Sequence, residues 1–326
     1  MIDELPGRAG ATLGTTDPPR HDRLRALSQA AFTRKTSENL IAPTLDIADR
    51  ALERISERRE FELINDFSSQ ITVGLLFRTM GLLERDHAEI RRKVILAVST
   101  DKSVKGRTAE HSAAFQELSA FLTAEVAARR AKPTDDLITH LAEAEIFGDR
   151  LSEREVVLTT ATFVMAGVES LSSFMSMFAL NMHDYPDARR RIVADPASIE
   201  PAIEESLRFN TSAQRFKRTV MREVTLYTAK PCASATKWPW PPDPEIATGG
   251  NFPTRMSMTS IAGHRGISAG SGKHFCLGSQ MVRLVTAVAM RRFLERVPDY
   301  HLTVGDIAWN SSSNFRSPAA LPFTIG

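Results

Sequence analysis

Gly270-Ser271-Gly272-Lys273-His274-Phe275-Cys276-Leu277-Gly278 is the stretch from which the rest of the chain can be read. Glycines let a main chain approach a flat ligand closely. A cysteine follows them at the mouth of a helix expected over 277–296. There, free N–H groups and the helix dipole favour thiolate over thiol, which is what a metal ligand needs. Zinc and iron–sulfur clusters want several ligands, and Cys276 has no C-x-x-C partner. One axial thiolate suits haem iron. The competing account is an inert buried cysteine, the commoner fate of a lone Cys.

Three features upstream bear on that choice. Glu205 and Arg208, in Ile-Glu-Glu-Ser-Leu-Arg-Phe, share one helical face. The plain account is a solvated i,i+3 pair worth about 0.2–0.5 kcal/mol. In a long apolar helix, Ala166-Gly167-Val168-Glu169-Ser170 inserts two small residues, an acid and a hydroxyl. A buried Glu is costly unless paired, so this cluster points to a functional site. A helix kink with Glu169 reaching water is the alternative. His21 and Arg25 stand at i,i+4 on an early helix, where both can donate to one anion.

Working outward, most of the chain reads as helix. Helices are expected from Pro18 onward and over 37–59, 66–82, 84–99 and 107–130. Ser152 and Glu155 form a capping box at the head of the apolar segment 156–182, which should run through the middle of a large domain. Further helices are expected over 186–194 and 199–209. Strand-like runs occur at 217–226 and in the tail. The fold class is therefore mainly α with small β-sheets, in one domain over 1–326.

Composition excludes other classes. With 42% hydrophobic and 25% charged residues, the chain has ordinary globular composition. Its net charge of +2 supplies no field for nucleic acid or an anionic membrane. Two cysteines make no disulfide framework. The first 14 residues lack the pattern of a secretory leader, and no run reaches the ~18 consecutive apolar residues of a membrane span. A cytoplasmic location is the expectation.

Taken in order, these pieces resemble the cytochrome P450 family, the haem-thiolate monooxygenases of the soluble bacterial type. The likeness runs from Asp17 to Pro322. It implies haem b with Cys276 as the axial ligand, pushing electron density that favours O–O cleavage. His21, Arg25, Arg218 and His274 match positions that neutralise the haem propionates. Gly270, Gly272 and Gly278 belong to the cysteine-ligand loop. Glu169 and Ser170 match proton-relay positions, and Ala166 and Gly167 leave room for dioxygen. Glu205 and Arg208 match a structural pair that braces the cysteine loop. The resemblance implies an apolar small-molecule substrate and a ferredoxin or similar electron donor.

The sequence departs from that family in three places. Ser170 stands where the family usually has Thr. The chain begins almost at the helix carrying His21, without the part that normally precedes it, so apolar surface should be exposed. And while 15–226 and 270–326 look family-like, 227–269 matches nothing. Six of the 17 prolines fall between Pro231 and Pro253, with two of the three tryptophans and Cys232. Read one base out of register, the codons compatible with this segment permit the family's expected strand and meander. Two compensating frameshifts therefore explain it, with a true Pro-rich insertion as the alternative. Either way, Trp238-Pro239-Trp240-Pro241-Pro242 should lie irregular or in polyproline II, depriving Glu205 and Arg208 of their usual partners and weakening haem retention. A non-catalytic remnant that does not retain haem is thus the second functional reading. A peroxide-driven enzyme is the third; in the family that habit goes with an Arg-Pro pair that Ala166–Ser170 lacks. The basic face Arg91-Arg92-Lys93 reads as solvated charge, with a docking patch for an acidic partner as the minority account.

Overall fold

The computed structural model describes residues 12–82, 87–99, 108–213, 216–219, 223–225, 231–232, 237–240, 269–270, 272–311 and 315–326. The first helix is Arg20–Gln29 (α1), followed by a 3-10 turn at Ala30–Phe32. The periodicity over 37–59 predicts one helix, but the chain forms Arg34–Glu38 (α2) and Ile41–Ser56 (α3) with a break between. Pro43 is the reason. Proline lacks the N–H and crowds the carbonyl four residues back, so the helix restarts where Pro43 falls in its first turn.

Next come Glu60–Glu62 (β1), a π-helical turn at Ile64–Ser68 and Ser69–Thr79 (α4). His87–Val98 (α5), Ala109–Ala131 (α6) and Leu137–Glu143 (α7) follow. A hairpin of Glu145–Ile146 (β2) and Asp149–Arg150 (β3) leads into Glu153–Asp184 (α8). Its turn places Phe147 at φ +52°, fully exposed. Ser152 caps α8 as the sequence predicts: Glu155 N donates to Ser152 Oγ at 3.3 Å, and Ser152 N donates to Glu155 Oε2 at 3.0 Å.

Pro186–Ala194 (α9) and Ile199–Phe209 (α10) lie in the predicted places. Beyond them are Phe216–Thr219 (β4), Val224–Thr225 (β5), Pro231–Cys232 (β6) and Lys237–Trp240 (β7). Ser279–Arg296 (α11), Tyr300–Leu302 (β8) and Pro322–Ile325 (β9) close the chain.

The long helix α8 organises the packing. Its second half, from Leu171 to Met182, joins a core with α3, α10, α11 and the terminal strands. Its first half, from Val156 to Val168, joins another with α1, α4, α5, α6 and α7. Apolar residues on nearly every side suit this double role, each large side chain contributing about 1.5–3 kcal/mol on burial. By length and composition α8 is also the one described helix able to cross a membrane, but 72% of its most apolar window is buried in the protein.

The sheets are small. β1, β9 and β8 form a three-stranded antiparallel sheet pairing Phe61 with Phe323 and Leu302 with Phe323. The ribbon β4–β7 corrects the expectation for the Trp-Pro run: Lys237–Trp240 is a strand, with Lys217 opposite Pro239 and Arg218 opposite Trp238. A ladder uses only alternate N–H groups, so an edge strand tolerates proline where its nitrogen faces away from the partner. Most of 227–269, and with it the frameshift reading, lies outside the described residues. Among the described residues, six large apolar side chains are exposed: Leu45, Ile146, Phe147, Val193, Phe275 and Val304.

A polar knot fixes α6 against α7. Asp136 Oδ1 accepts from Thr139 N at 2.8 Å, and Oδ2 accepts from Arg129 Nε at 2.9 Å and Thr134 Oγ1 at 2.6 Å. Gly81, at φ +66°, has room for no Cβ beside that carboxylate. Burial opposes ionising Asp136, but hydrogen bonds from Thr134, Thr139 and Arg129 outweigh it and hold the carboxyl below its usual value. A depressed carboxyl stabilises above its unfolded pKa and loses that contribution as pH falls through the folded value. Asp136→Asn should therefore cost about 1–3 kcal/mol at pH 7. The gap should close below about pH 4. Denaturant unfolding of both proteins at pH 7 and pH 3 checks this; a gap of equal size at both would refute it.

Candidate active site

Midway along α8, members of both cores line a cavity of about 310 Å³. Phe163, Ala166, Gly167, Ser170 and Leu171 recur at i, i+3, i+4, so one face of α8 forms a wall. Gly167 lets Leu76 of α4 pack closely, since a Cβ there would stand 3.3 Å from Leu76 Cδ1. Ser170 Oγ donates back to Ala166 O. Glu169 is not part of the lining. Its Oε1 accepts from Ser317 Oγ at 2.9 Å and from Ser173 Oγ at 3.2 Å.

The cysteine loop enters the same cavity. Gly270 and Gly272 take φ values of +81° and +65°, and added Cβ atoms there would meet little. Both take the left-handed conformation that glycine adopts without strain; Gly278, at φ −82°, lines the cavity. Cys276 N donates to Ala269 O at 3.0 Å, closing the turn three residues ahead of α11. Cys276 lines the cavity, where its exposed surface lies among the surrounding side chains.

Burial works against the thiolate that the helix mouth favours. Burial pushes the Cys276 thiol up, and the Gly278 and Ser279 N–H groups with Arg283 and Arg25 only partly offset it. A coordinated metal ion deprotonates such a thiol outright.

Three long-range contacts tie this loop to α1 and the residues just before it. Arg25 Nη1 donates to Phe275 O at 2.9 Å, Lys273 pairs with Asp22, and His274 Nε2 lies 3.6 Å from Asp17 Oδ1. The His21 and His274 rings sit 4.2 Å apart. His21 is fully buried, its Nδ1 beside Asp22 Oδ1 at 3.1 Å, and its Nε2 has no hydrogen-bond partner among the described residues. An orphaned imidazole nitrogen on the wall of an apolar cavity, beside Arg25 and His274, fits the carboxylate of a bound haem. Arg218 lies in β4; its side chain is outside the described residues.

Glu205 and Arg208 are not a solvated pair. Arg208 Nε and Nη2 donate to Glu205 Oε2 and Oε1 at 2.8 and 2.7 Å, and Glu205 has no exposed surface. The adjacent carboxylate pushes the Arg208 guanidinium further up. Next along α10, Glu204 pairs with Arg283 of α11, bracing the helix that follows Cys276. No spacing rule couples residues 204 and 283, so sequence reading missed Arg283, as it missed Lys273, Asp22 and Ser317. Lys93 of the basic face pairs with Glu89 at 2.7 Å and Glu117 at 3.2 Å, tying α5 to α6.

No protein-family model matches the chain. Over 334 residues it is 31% identical to cytochrome P450 107B1 of Saccharopolyspora erythraea, covering 97% of this chain and 78% of that protein. It is 27% identical to the vitamin D(3) 25-hydroxylase of Pseudonocardia autotrophica over 99% of this chain and 80% of that one. The solved cytochrome P450 PksS of the Bacillus subtilis 168 bacillaene polyketide synthase superposes with a TM-score of 0.92 at 25% identity, covering 98% and 82% of the two chains. Such enzymes bind haem b through an axial cysteine, and Cys276 lines a cavity that suits that group. With its fold, its cysteine loop and its relatives in agreement, the chain belongs to the cytochrome P450 family of haem-thiolate monooxygenases.

Proposed function

We propose that this chain hydroxylates an apolar small molecule in the cytoplasm, using dioxygen and electrons from a ferredoxin-like partner. The observation that carries the reading is the cavity itself, in which Cys276 shares an otherwise largely apolar lining with Ser170 of α8. Bound haem b supplies the oxygen-activating chemistry. The chain's own residues do the rest. Cys276 ligates the iron, and His21, Arg25, Arg218 and His274 neutralise the propionates. Leu75, Leu76 and Phe163 keep the substrate side apolar. Ala166 and Gly167 leave space beside the wall, and Ser170 and Glu169 deliver protons. The named substrate of the vitamin D(3) hydroxylase relative is also largely apolar, in line with this wall.

The test is direct. Purified with haem, reduced and exposed to carbon monoxide, the protein should show the red-shifted Soret band of thiolate ligation. Ser170→Ala should keep that band but divert electrons from product to hydrogen peroxide, lowering product per electron pair about tenfold or more, toward the low end for a positioned proton donor. A chain that takes up no haem supports the remnant reading instead, and unaltered coupling in Ser170→Ala removes the serine's role.

A further inference from the structure

The C-terminal turn holds one residue whose placement nothing above explains. Ser317 is buried, 2% exposed, yet its hydroxyl reaches Glu169 on α8. Its proton can be assigned. Asn310 Nδ2 donates to Pro318 O at 3.2 Å, which identifies that atom as the amide nitrogen, and it also donates to Ser317 Oγ at 3.1 Å. A serine hydroxyl has one proton to give. With Asn310 as its donor, Ser317 directs that proton at Glu169 Oε1.

The described residues around Ser317 are held by backbone hydrogen bonds. Asn310 N donates to Ser317 O at 2.9 Å, Ala319 N donates to Ala308 O at 2.7 Å, and Trp309 bridges Pro318. Arg316 N donates to Ser212 O at 2.8 Å, and Phe315 bridges Ala213, so the turn is tied to the segment after α10. From within α8, Ser173 Oγ donates to the same Glu169 oxygen. One oxygen of Glu169 is thus clamped between two hydroxyls, one on its own helix and one on a separate, braced element.

We infer that Ser317 is a positioning residue for Glu169, clamping Oε1 and so holding the carboxylate in one orientation on α8 next to Ser170. This deepens the proposed monooxygenase reading and rests on it for the use made of Glu169. Without the clamp, the carboxylate distributes over its rotamers and proton delivery loses its fixed geometry.

The experiment compares the parent with Ser317→Ala and Ser317→Thr. Infrared difference spectra, with the Glu169→Gln variant used to assign the Glu169 carboxylate band, should show that band shift in Ser317→Ala and return toward the parent position in Ser317→Thr. This readout needs neither haem nor turnover. In haem-loaded protein, Ser317→Ala should keep the carbon monoxide band and KM while kcat falls about three- to tenfold, the effect of one lost positioning hydrogen bond. Ser317→Thr, which restores a hydroxyl, should recover most of it. An unmoved carboxylate band in Ser317→Ala, or a kcat loss that Ser317→Thr fails to rescue, overturns the inference. A parent that binds no haem fails the functional reading, and the infrared comparison still decides the clamp.

Discussion

Replacing Cys276 with alanine abolishes the thiolate-type Soret band of the reduced carbon monoxide complex and leaves the protein folded. The sulfur opens into the cavity and belongs to neither core. The hydrogen bonds that shape its loop are backbone ones, Cys276 N to Ala269 O and Ser279 N to Cys276 O, and alanine keeps both. Unfolding free energy should therefore change by less than about 1 kcal/mol, as for substitutions outside the core. Spectral loss without loss of structure is the diagnostic combination. A band that persists in Cys276→Ala would assign the ligand to Cys232, the other cysteine, and overturn the site described here.

The second large effect is on stability. Arg208→Leu leaves the Glu205 carboxylate, which has no exposed surface, without its bidentate partner. Breaking a buried pair from one side costs about 3–5 kcal/mol, because the remaining charge stays desolvated. Glu205→Leu removes the guanidinium's bidentate acceptor and should cost a similar amount. Arg208→Lys keeps the charge but lacks the planar fork, so it rescues only in part. Replacing both, as Glu205→Leu with Arg208→Met, should recover much of the loss. Denaturant unfolding decides this, with haem retention as a second readout, since α10 braces α11 through Glu204 and Arg283. A single-variant loss below about 1 kcal/mol would instead match an ordinary exposed pair.

Much of the secondary structure was legible because local rules govern it. The Ser152 capping box and the all-round apolar pattern of α8 are short-range signals, and both appear where expected. The break before Ile41 was legible in principle from Pro43, but helical periodicity over 37–59 obscured it. The strand at Lys237–Trp240 was not legible. Proline alternates there with tryptophan, and only the partner strand reveals which nitrogens need a bond. The opposing effect of burial on the Cys276 thiol was not legible for a similar reason. A helix mouth is visible in sequence, whereas the cavity walls that surround the thiol come from distant segments, α8 and α4 among them.

By itself the sequence determined the kinds of groups present and their order: a lone cysteine in a glycine loop, an acid beside a hydroxyl in an apolar helix, a His and an Arg one turn apart. Those follow from residue chemistry and helical spacing. Only the tertiary structure decided which way each faces. Ser170 and Glu169 are neighbours, yet about 100° of rotation per residue turns one into the cavity and the other toward Ser317. Arg25 meets Phe275 across 250 residues of chain, a contact no local periodicity encodes. Such contacts form when the packing of α8, α10 and α11 brings distant segments together, and in this protein they build the site.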